Sequence, residues 1–112
     1  MTEALAIADE NENRQYEAET HRLKGELLLK QDESNAAEAQ SCFRRAVEIA
    51  RRQSAKSLEL RATMSLARLL DKRGLRDEGH TMLAEIYNWF AEGFDTADLK
   101  EAKVLLDQLA AV

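Results

Sequence analysis

The chain has 112 residues, 45% of them hydrophobic, with no proline, four glycines and one cysteine. This length predicts a single domain over residues 1–112, and the dominance of Ala, Leu, Glu and Arg, which lose little side-chain freedom in a helix, predicts an all-α fold. The single cysteine excludes an intramolecular disulfide framework. No apolar stretch reaches the roughly 18 residues that a bilayer requires, and the start MTEALAIADENE lacks the positive charge of a signal peptide. We therefore expect a cytoplasmic protein without a membrane partner.

The net charge of −5 lies entirely in the first 20 residues, which hold six acids and one base. Residues 21–112 hold 15 acids and 15 bases. Because an acidic chain repels phosphate, the charge disfavours nucleic acid as a partner, although the neutral remainder leaves this class open.

Apolar residues at helical spacing predict five helices. Their ranges are about 13–31, 36–53, 56–73, 77–92 and 96–110. Asn35 is the predicted N-cap of the second helix, with Glu38 in the capping-box position, and Thr96 is the predicted N-cap of the last. Gly74 and Gly93 are the predicted stops of the third and fourth helices.

The third helix is apolar almost all the way round, which predicts that neighbours cover it on several sides. Short connections favour antiparallel helical hairpins. We expect repeat one over about 13–53, repeat two over about 56–92 and a capping helix over about 96–110. Residues 1–10 are typical of the end of a further helix, so the chain is expected to be a piece of a longer array.

Two patterns recur about 40 residues apart. Lys-Gly-x2-Leu at 24–28 aligns with Leu-Ala-x2-Leu at 66–70, and Ala-x3-Phe-x2-Ala at 39–46 aligns with Gly-x3-Leu-x2-Ile at 79–86. Small residues let helices approach, and large ones fill the gap, so we expect these positions to pack the repeats. They are Gly25, Leu28, Ala39, Phe43 and Ala46 in repeat one and Leu66, Ala67, Leu70, Gly79, Leu83 and Ile86 in repeat two.

These residues resemble the tetratricopeptide (TPR) repeat, whose helix A carries Leu-Gly-x2-Tyr and whose helix B carries Ala-x3-Phe-x2-Ala. The chain departs from that pattern at the helix A tryptophan position, which holds His21 or Thr63, in its missing proline and in its longer period, which HEAT-type repeats also fit. The resemblance implies a TPR-like α-solenoid of antiparallel hairpins, with about five helices and a short N-terminal helical segment.

The phrases HRLKGELLL, CFRRAVEIARRQ, ELRATMSLARLL and YNWFAEGFDTADLKEAKVLL resemble the C-terminal repeat region of large bacterial signalling proteins. Those proteins join a cyclase-like or transcription-regulator domain to an ATPase domain and a helical tail. The resemblance implies a sensory or assembly role for the tail, with catalysis in other domains. The phosphate-binding motif GxxxxGK[ST] does not occur in the 112 residues.

The chemically suggestive residues favour structural roles. His21 and His80 lie on different predicted helices, and no Cys/His cluster has zinc spacing, so we expect no metal and no cofactor. Cys42 is expected to be a core thiol, with a reactive thiol beside Arg45 as the alternative. The paired carboxylates at 32–33 and 77–78 fall in turns or first helical turns, where they suit the helix dipole, and we expect no enzyme activity.

Two clusters leave alternatives open. The basic stretch Arg44, Arg45, Arg51, Arg52 and Lys56 is expected to be a solvated face, with anion, nucleic-acid or protein contact as alternatives. Four of the chain's six aromatic residues lie at 87–94, where the last helix is expected to cover most of them. An exposed Trp89 would instead serve as a binding anchor.

Two functions therefore lead. In the first, the helices that open each repeat form a concave surface for a protein or peptide. The candidate contact residues are His21, Lys24, Arg61, Ser65, Arg68 and Trp89. In the second, the exposed ends of the array associate with a second copy as a homodimer. Nucleic-acid binding through the arginines is the weaker third alternative.

Overall fold

The computed structural model of the chain describes the backbone of residues 10–90 and 97–110, and the side chains of 17–90 and 97–110. Within these ranges the chain forms five α-helices, one 3-10 helix and no strand, which confirms the predicted all-α class. The α-helices are α1 (Glu10–Gln31), α2 (Ala36–Arg52), α3 (Lys56–Lys72), α4 (Arg76–Trp89) and α5 (Ala97–Ala110). The predicted N-terminal helical segment lies outside the described residues, except for Glu10, which begins α1. Gly93 and Thr96 also lie outside them.

The entry into α2 differs from the predicted capping box. Asn35 closes a 3-10 turn, Glu33–Asn35, and its backbone angles (φ −80, ψ 8) are not the extended ones that an N-cap side chain needs. Its Nδ2 instead donates a hydrogen bond to the Leu28 carbonyl at 3.0 Å. The cap belongs to Asp32, whose extended backbone lets Oδ1 accept from the Ser34 amide at 2.9 Å. That hydrogen bond from the Ser34 backbone lowers the pKa of Asp32.

The helices α2 and α3 are both followed by a residue in the left-handed conformation. Gly74 has φ +82, and the amide of Leu75 donates to the Leu70 carbonyl at 2.7 Å, which confirms the predicted left-handed stop of α3. After α2, Ser54 adopts φ 55, and the Ala55 amide donates to the Ala50 carbonyl at 2.9 Å. Both left-handed residues therefore turn the chain sharply into the next helix.

The core is centred on α3, which contacts each of the other four α-helices. Its apolar side chains divide between two clusters, and this explains why the helix is apolar nearly all round. The cluster against α2 contains Ala39, Phe43, Ala46, Val47, Ala62, Leu66, Leu69 and Leu70. The cluster against α4 and α5 contains Leu60, Met64, Ala67, Leu83, Ile86, Phe90, Leu99, Ala102, Leu105 and Leu109.

Small residues set the distances between paired helices. A Cβ built on Gly25 of α1 would lie 2.5 Å from Cε1 of Phe43 in α2, closer than two carbon atoms approach without displacement. A Cβ on Gly79 of α4 would lie 3.2 Å from the Cα of Ala67 in α3. The repeat-packing residues predicted from the sequence are all buried except Leu28, which is partly buried.

We predict that Gly25→Val lowers the free energy of unfolding by about 2 kcal/mol, because the new side chain overpacks the buried Phe43 ring. This loss exceeds the few tenths of a kcal/mol that a helix gains when glycine is replaced. Leu23→Val is the matched control, since it places the same residue on the exposed side of the same helix. It should change the free energy by less than about 0.5 kcal/mol. Urea unfolding followed by circular dichroism measures both, and equal effects would contradict the prediction.

Candidate protein-binding surfaces

Arg61 joins three helices at one edge of the fold. From α3, its Nη1 donates to Oε2 of Glu19 in α1 at 2.7 Å, and its Nη2 donates to Oδ2 of Asp98 in α5 at 3.1 Å. Glu19 also accepts from Nε of Arg22 at 2.5 Å. All of these side chains are partly exposed, so they form a surface network that positions α1, α3 and α5 side by side.

The protonation of this network follows from its geometry. Burial by itself raises the pKa of Glu19, but the hydrogen bonds and charges of Arg22 and Arg61 outweigh it and hold that pKa below its ordinary value. The hydrogen bonds to Glu19 and Asp98 in turn raise the pKa of Arg61. Both shifts favour the charged forms of Glu19 and Arg61.

The same surface continues along α3 to Arg68, whose Nη2 donates to Oε1 of Glu101 in α5 at 2.9 Å. Ser65 lies between Arg61 and Arg68 in the helical sequence, but it is only 3% exposed. A serine side chain is too short to emerge between packed helices, whereas an arginine reaches the surface along its stem. Ser65, which the sequence predicts as a partner contact, is therefore buried in this arrangement of helices.

His21 and Lys24 do not join this surface. A helix turns about 100° per residue, so these two side chains point about 200° and 140° away from Glu19 around α1. Lys24 is exposed and His21 is partly buried. The six predicted contact residues are thus divided. Arg61 and Arg68 lie on one accessible surface, which we call the polar face and define by Glu19, Arg61, Arg68, Asp98 and Glu101.

The sequence patterns did not single out Glu19, Asp98 or Glu101. One signal was present, because Glu19 and Arg61 occupy equivalent positions when Lys24 is aligned with Leu66. Opposite charges at equivalent positions of neighbouring helices favour an ion pair between them. The partners from α5 had no such signal, since the alignment did not extend to the last helix.

Trp89 lies at the end of α4 and is 56% exposed. Its ring packs edge-on against Phe90, with 4.9 Å between centroids, and Nζ of Lys56 lies 5.4 Å from its centroid. Phe90 is buried in the cluster with Leu99 of α5, and Tyr87 packs against that cluster. The last helix therefore covers Phe90 but leaves Trp89 accessible; Phe94 lies outside the described residues.

The basic stretch is largely neutralised by carboxylates. Arg44 pairs with Glu78 at 2.8 Å, and Arg52 pairs with Glu48. Arg45 is exposed. These contacts agree with the predicted solvated face.

Glu59 is a buried carboxylate that the sequence patterns did not single out. It accepts from Nε of Arg51 at 3.0 Å, and Nζ of Lys56 lies 3.6 Å from its other oxygen. The pair with Arg51 ties α2 to the start of α3. Cys42 is buried, as expected for a core thiol.

We predict that Arg61→Met lowers the free energy of unfolding by about 1 kcal/mol at pH 7, a value that allows for solvent screening of a partly exposed network. Because the pKa of Glu19 is lower in the folded chain, its stabilising contribution is present above the ordinary value of 4.5 and is lost as the pH falls through the folded value. The effect should therefore shrink at pH 3.

Urea unfolding at pH 7 and pH 3 measures this difference. Arg68→Met is the matched control, and its more exposed pair with Glu101 should contribute less than about 0.5 kcal/mol. A loss for Arg61→Met that is as large at pH 3 as at pH 7 would show that the ion pairs are not its cause.

Comparison of the chain with protein-family models, with curated proteins and with solved structures returns no match. In the described part of the chain, none of the helices combines the length and apolar character needed to cross a bilayer.

Proposed function

We propose that this chain is a non-catalytic protein-interaction module that binds a protein or peptide through the polar face. The observation that carries the proposal is the double pairing of Arg61 with Glu19 and Asp98, which aligns α1, α3 and α5 along one edge. Three adjacent helices with accessible charged side chains offer an extended surface for a polypeptide.

A TPR-like α-solenoid is the architecture that we propose for the module. In an array of stacked helix pairs, the first helix of a pair packs against its own partner and against the second helix of the preceding pair. The helix α3 packs in this way against α4 and α2. The close approach of Ala67 and Gly79 supports the same arrangement, because these small residues fall at the positions where the repeat pattern places them.

The chemistry of the polar face favours a charged peptide segment. Arg68 and Glu101 are each about half exposed, and ion pairs of this kind contribute little net stability because water screens them. A partner carboxylate can therefore replace Glu101 on Arg68 at small cost. Trp89 is a second accessible contact, since exposed tryptophan is frequent among residues that contribute most to binding.

The sequence resemblance to the helical tails of bacterial signalling proteins supports a scaffold or sensory role in the cytoplasm. In that role, the module would carry no active site and would recruit or sense a partner on behalf of other domains. The arginines of α2 do not favour the nucleic-acid alternative, because Arg44, Arg51 and Arg52 each pair with a carboxylate.

Site-specific photo-crosslinking tests the proposed function. We expect a benzophenone amino acid at position 68 or 101 to form a covalent adduct of defined mass with a partner protein in cells that express the chain. The matched control is the same amino acid at position 52, on the exposed side of α2. No adduct from 68 and 101, or the same adducts from 52, would contradict binding through the polar face.

Homo-oligomerisation is the alternative function, favoured by exposed apolar residues on the two outermost helices. Leu23 and Leu27 lie on α1, and Val104 lies on α5. If self-association is the primary role, light scattering over a hundredfold range of concentration will give a dimer that persists at the lowest concentration. A constant monomer mass is the result that we expect for an interaction module, and a persistent dimer would contradict it.

A further inference from the structure

The outer side of α1 presents an apolar pair that the described helices do not cover. Leu23 and Leu27 lie one turn apart and are 53% and 56% exposed. Lys24 and Lys30 flank Leu27 at the two positions nearest to it on the same side of the helix, and both are exposed. We call this surface the α1 outer face.

The internal repeat shows what covers an equivalent surface. When Lys24 is aligned with Leu66, the residues Thr20, Leu23, Lys24 and Leu27 of α1 correspond to Ala62, Ser65, Leu66 and Leu69 of α3. All four α3 residues are buried, at 3% exposure or less. Three of them, Ala62, Leu66 and Leu69, pack in one cluster with Ala39, Phe43, Ala46 and Val47 of α2. An amphipathic helix therefore covers this surface on α3.

The differences between the two faces indicate the chemistry of the missing helix. Leu66 is fully buried in α3, whereas its counterpart in α1 is Lys24. Among the side chains that the structure describes, at 17–90 and 97–110, no carboxylate lies within ion-pair distance of Lys24 or Lys30. A helix that covers Leu23 and Leu27 and also neutralises these lysines needs an apolar stripe flanked by carboxylates.

A second copy of the chain that presents its own α1 outer face does not meet this requirement. Two α1 outer faces packed against each other would bring four lysines together, and like charges at an interface oppose association. The charge pattern favours a different chain instead.

We propose that the α1 outer face is a docking site for an acidic amphipathic helix of a partner protein. This inference rests on the proposed protein-binding role and deepens it, because it names a second surface and the class of partner. The partner helix packs its apolar side over Leu23 and Leu27, as α2 packs over α3, and its carboxylates pair with Lys24 and Lys30.

Two peptides derived from α2 test the inference, since α2 already covers the equivalent face. Both have the 17 residues Ala36–Arg52 with Cys42→Ser, and the acidic one also carries Glu in place of Arg44, Arg45, Arg51 and Arg52. Fluorescence anisotropy of the labelled peptides measures binding to the complete chain. We expect the acidic peptide to bind at least about tenfold more tightly than the basic one, because only the acidic peptide complements the lysines.

Three variants of the chain locate the binding. The double variant Leu23→Gln, Leu27→Gln should bind the acidic peptide at least about tenfold more weakly than the unchanged chain does. Lys24→Glu with Lys30→Glu should reverse the preference in favour of the basic peptide. Val104→Gln is the matched control, since it removes a side chain of similar exposure from α5 and should leave binding unchanged. All of these positions are exposed, and circular dichroism checks that each variant is folded.

No binding of the acidic peptide, or binding that survives the double glutamine variant, would overturn the inference. A dimer in solution that the double glutamine variant dissociates would also overturn it, because a second copy would then occupy the face. These failures are distinguishable from failure of the polar face, since crosslinking from position 68 or 101 reports on a different surface.

Discussion

The close approach of paired helices at small residues is the constraint on which this fold depends. Gly25 leaves room for the Phe43 ring, and Gly79 leaves room for the backbone of Ala67. At both places a side chain of ordinary size would force the helices apart, and the buried clusters that depend on their spacing would lose contact. Two glycines with no chemistry of their own thus determine how tightly each helical pair can pack.

The helix α3 connects the two packed helix pairs, because it contacts all four of the other α-helices. It shares an apolar cluster with α2 on one side and with α4 and α5 on the other, so its apolar residues cannot be confined to a single stripe. Between Glu59 and Leu70, only Arg61 and Arg68 reach the surface, and there they pair with acids of α1 and α5. The two arginines of the polar face are therefore attached to the helix that contacts all four others.

The two outermost described helices, α1 and α5, differ in the surfaces that they expose. The described surface of α5 is mainly charged, with Val104 as its exposed large apolar residue, whereas α1 exposes Leu23 and Leu27 together. A predominantly charged surface is stable in water without a neighbour, but adjacent exposed leucines gain free energy when they are covered. This asymmetry is the physical reason to seek a helical partner at α1, separately from a ligand of the polar face.

Within the described residues, helical periodicity alone determined the number of α-helices and their limits to within a few residues. It also determined the apolar stripe of α2 and the all-round burial of α3, because these properties depend on local spacing. The left-handed stop at Gly74 is equally local, since glycine tolerates that conformation. Tertiary structure decided the rest. Asp32 caps the chain instead of Asn35, because a 3-10 turn precedes α2. Ser65 is buried because the neighbouring helices cover its short side chain. The partners of Arg61 come from helices distant in sequence, and only the packing of α1 and α5 beside α3 brings Glu19 and Asp98 within hydrogen-bond distance of one guanidinium.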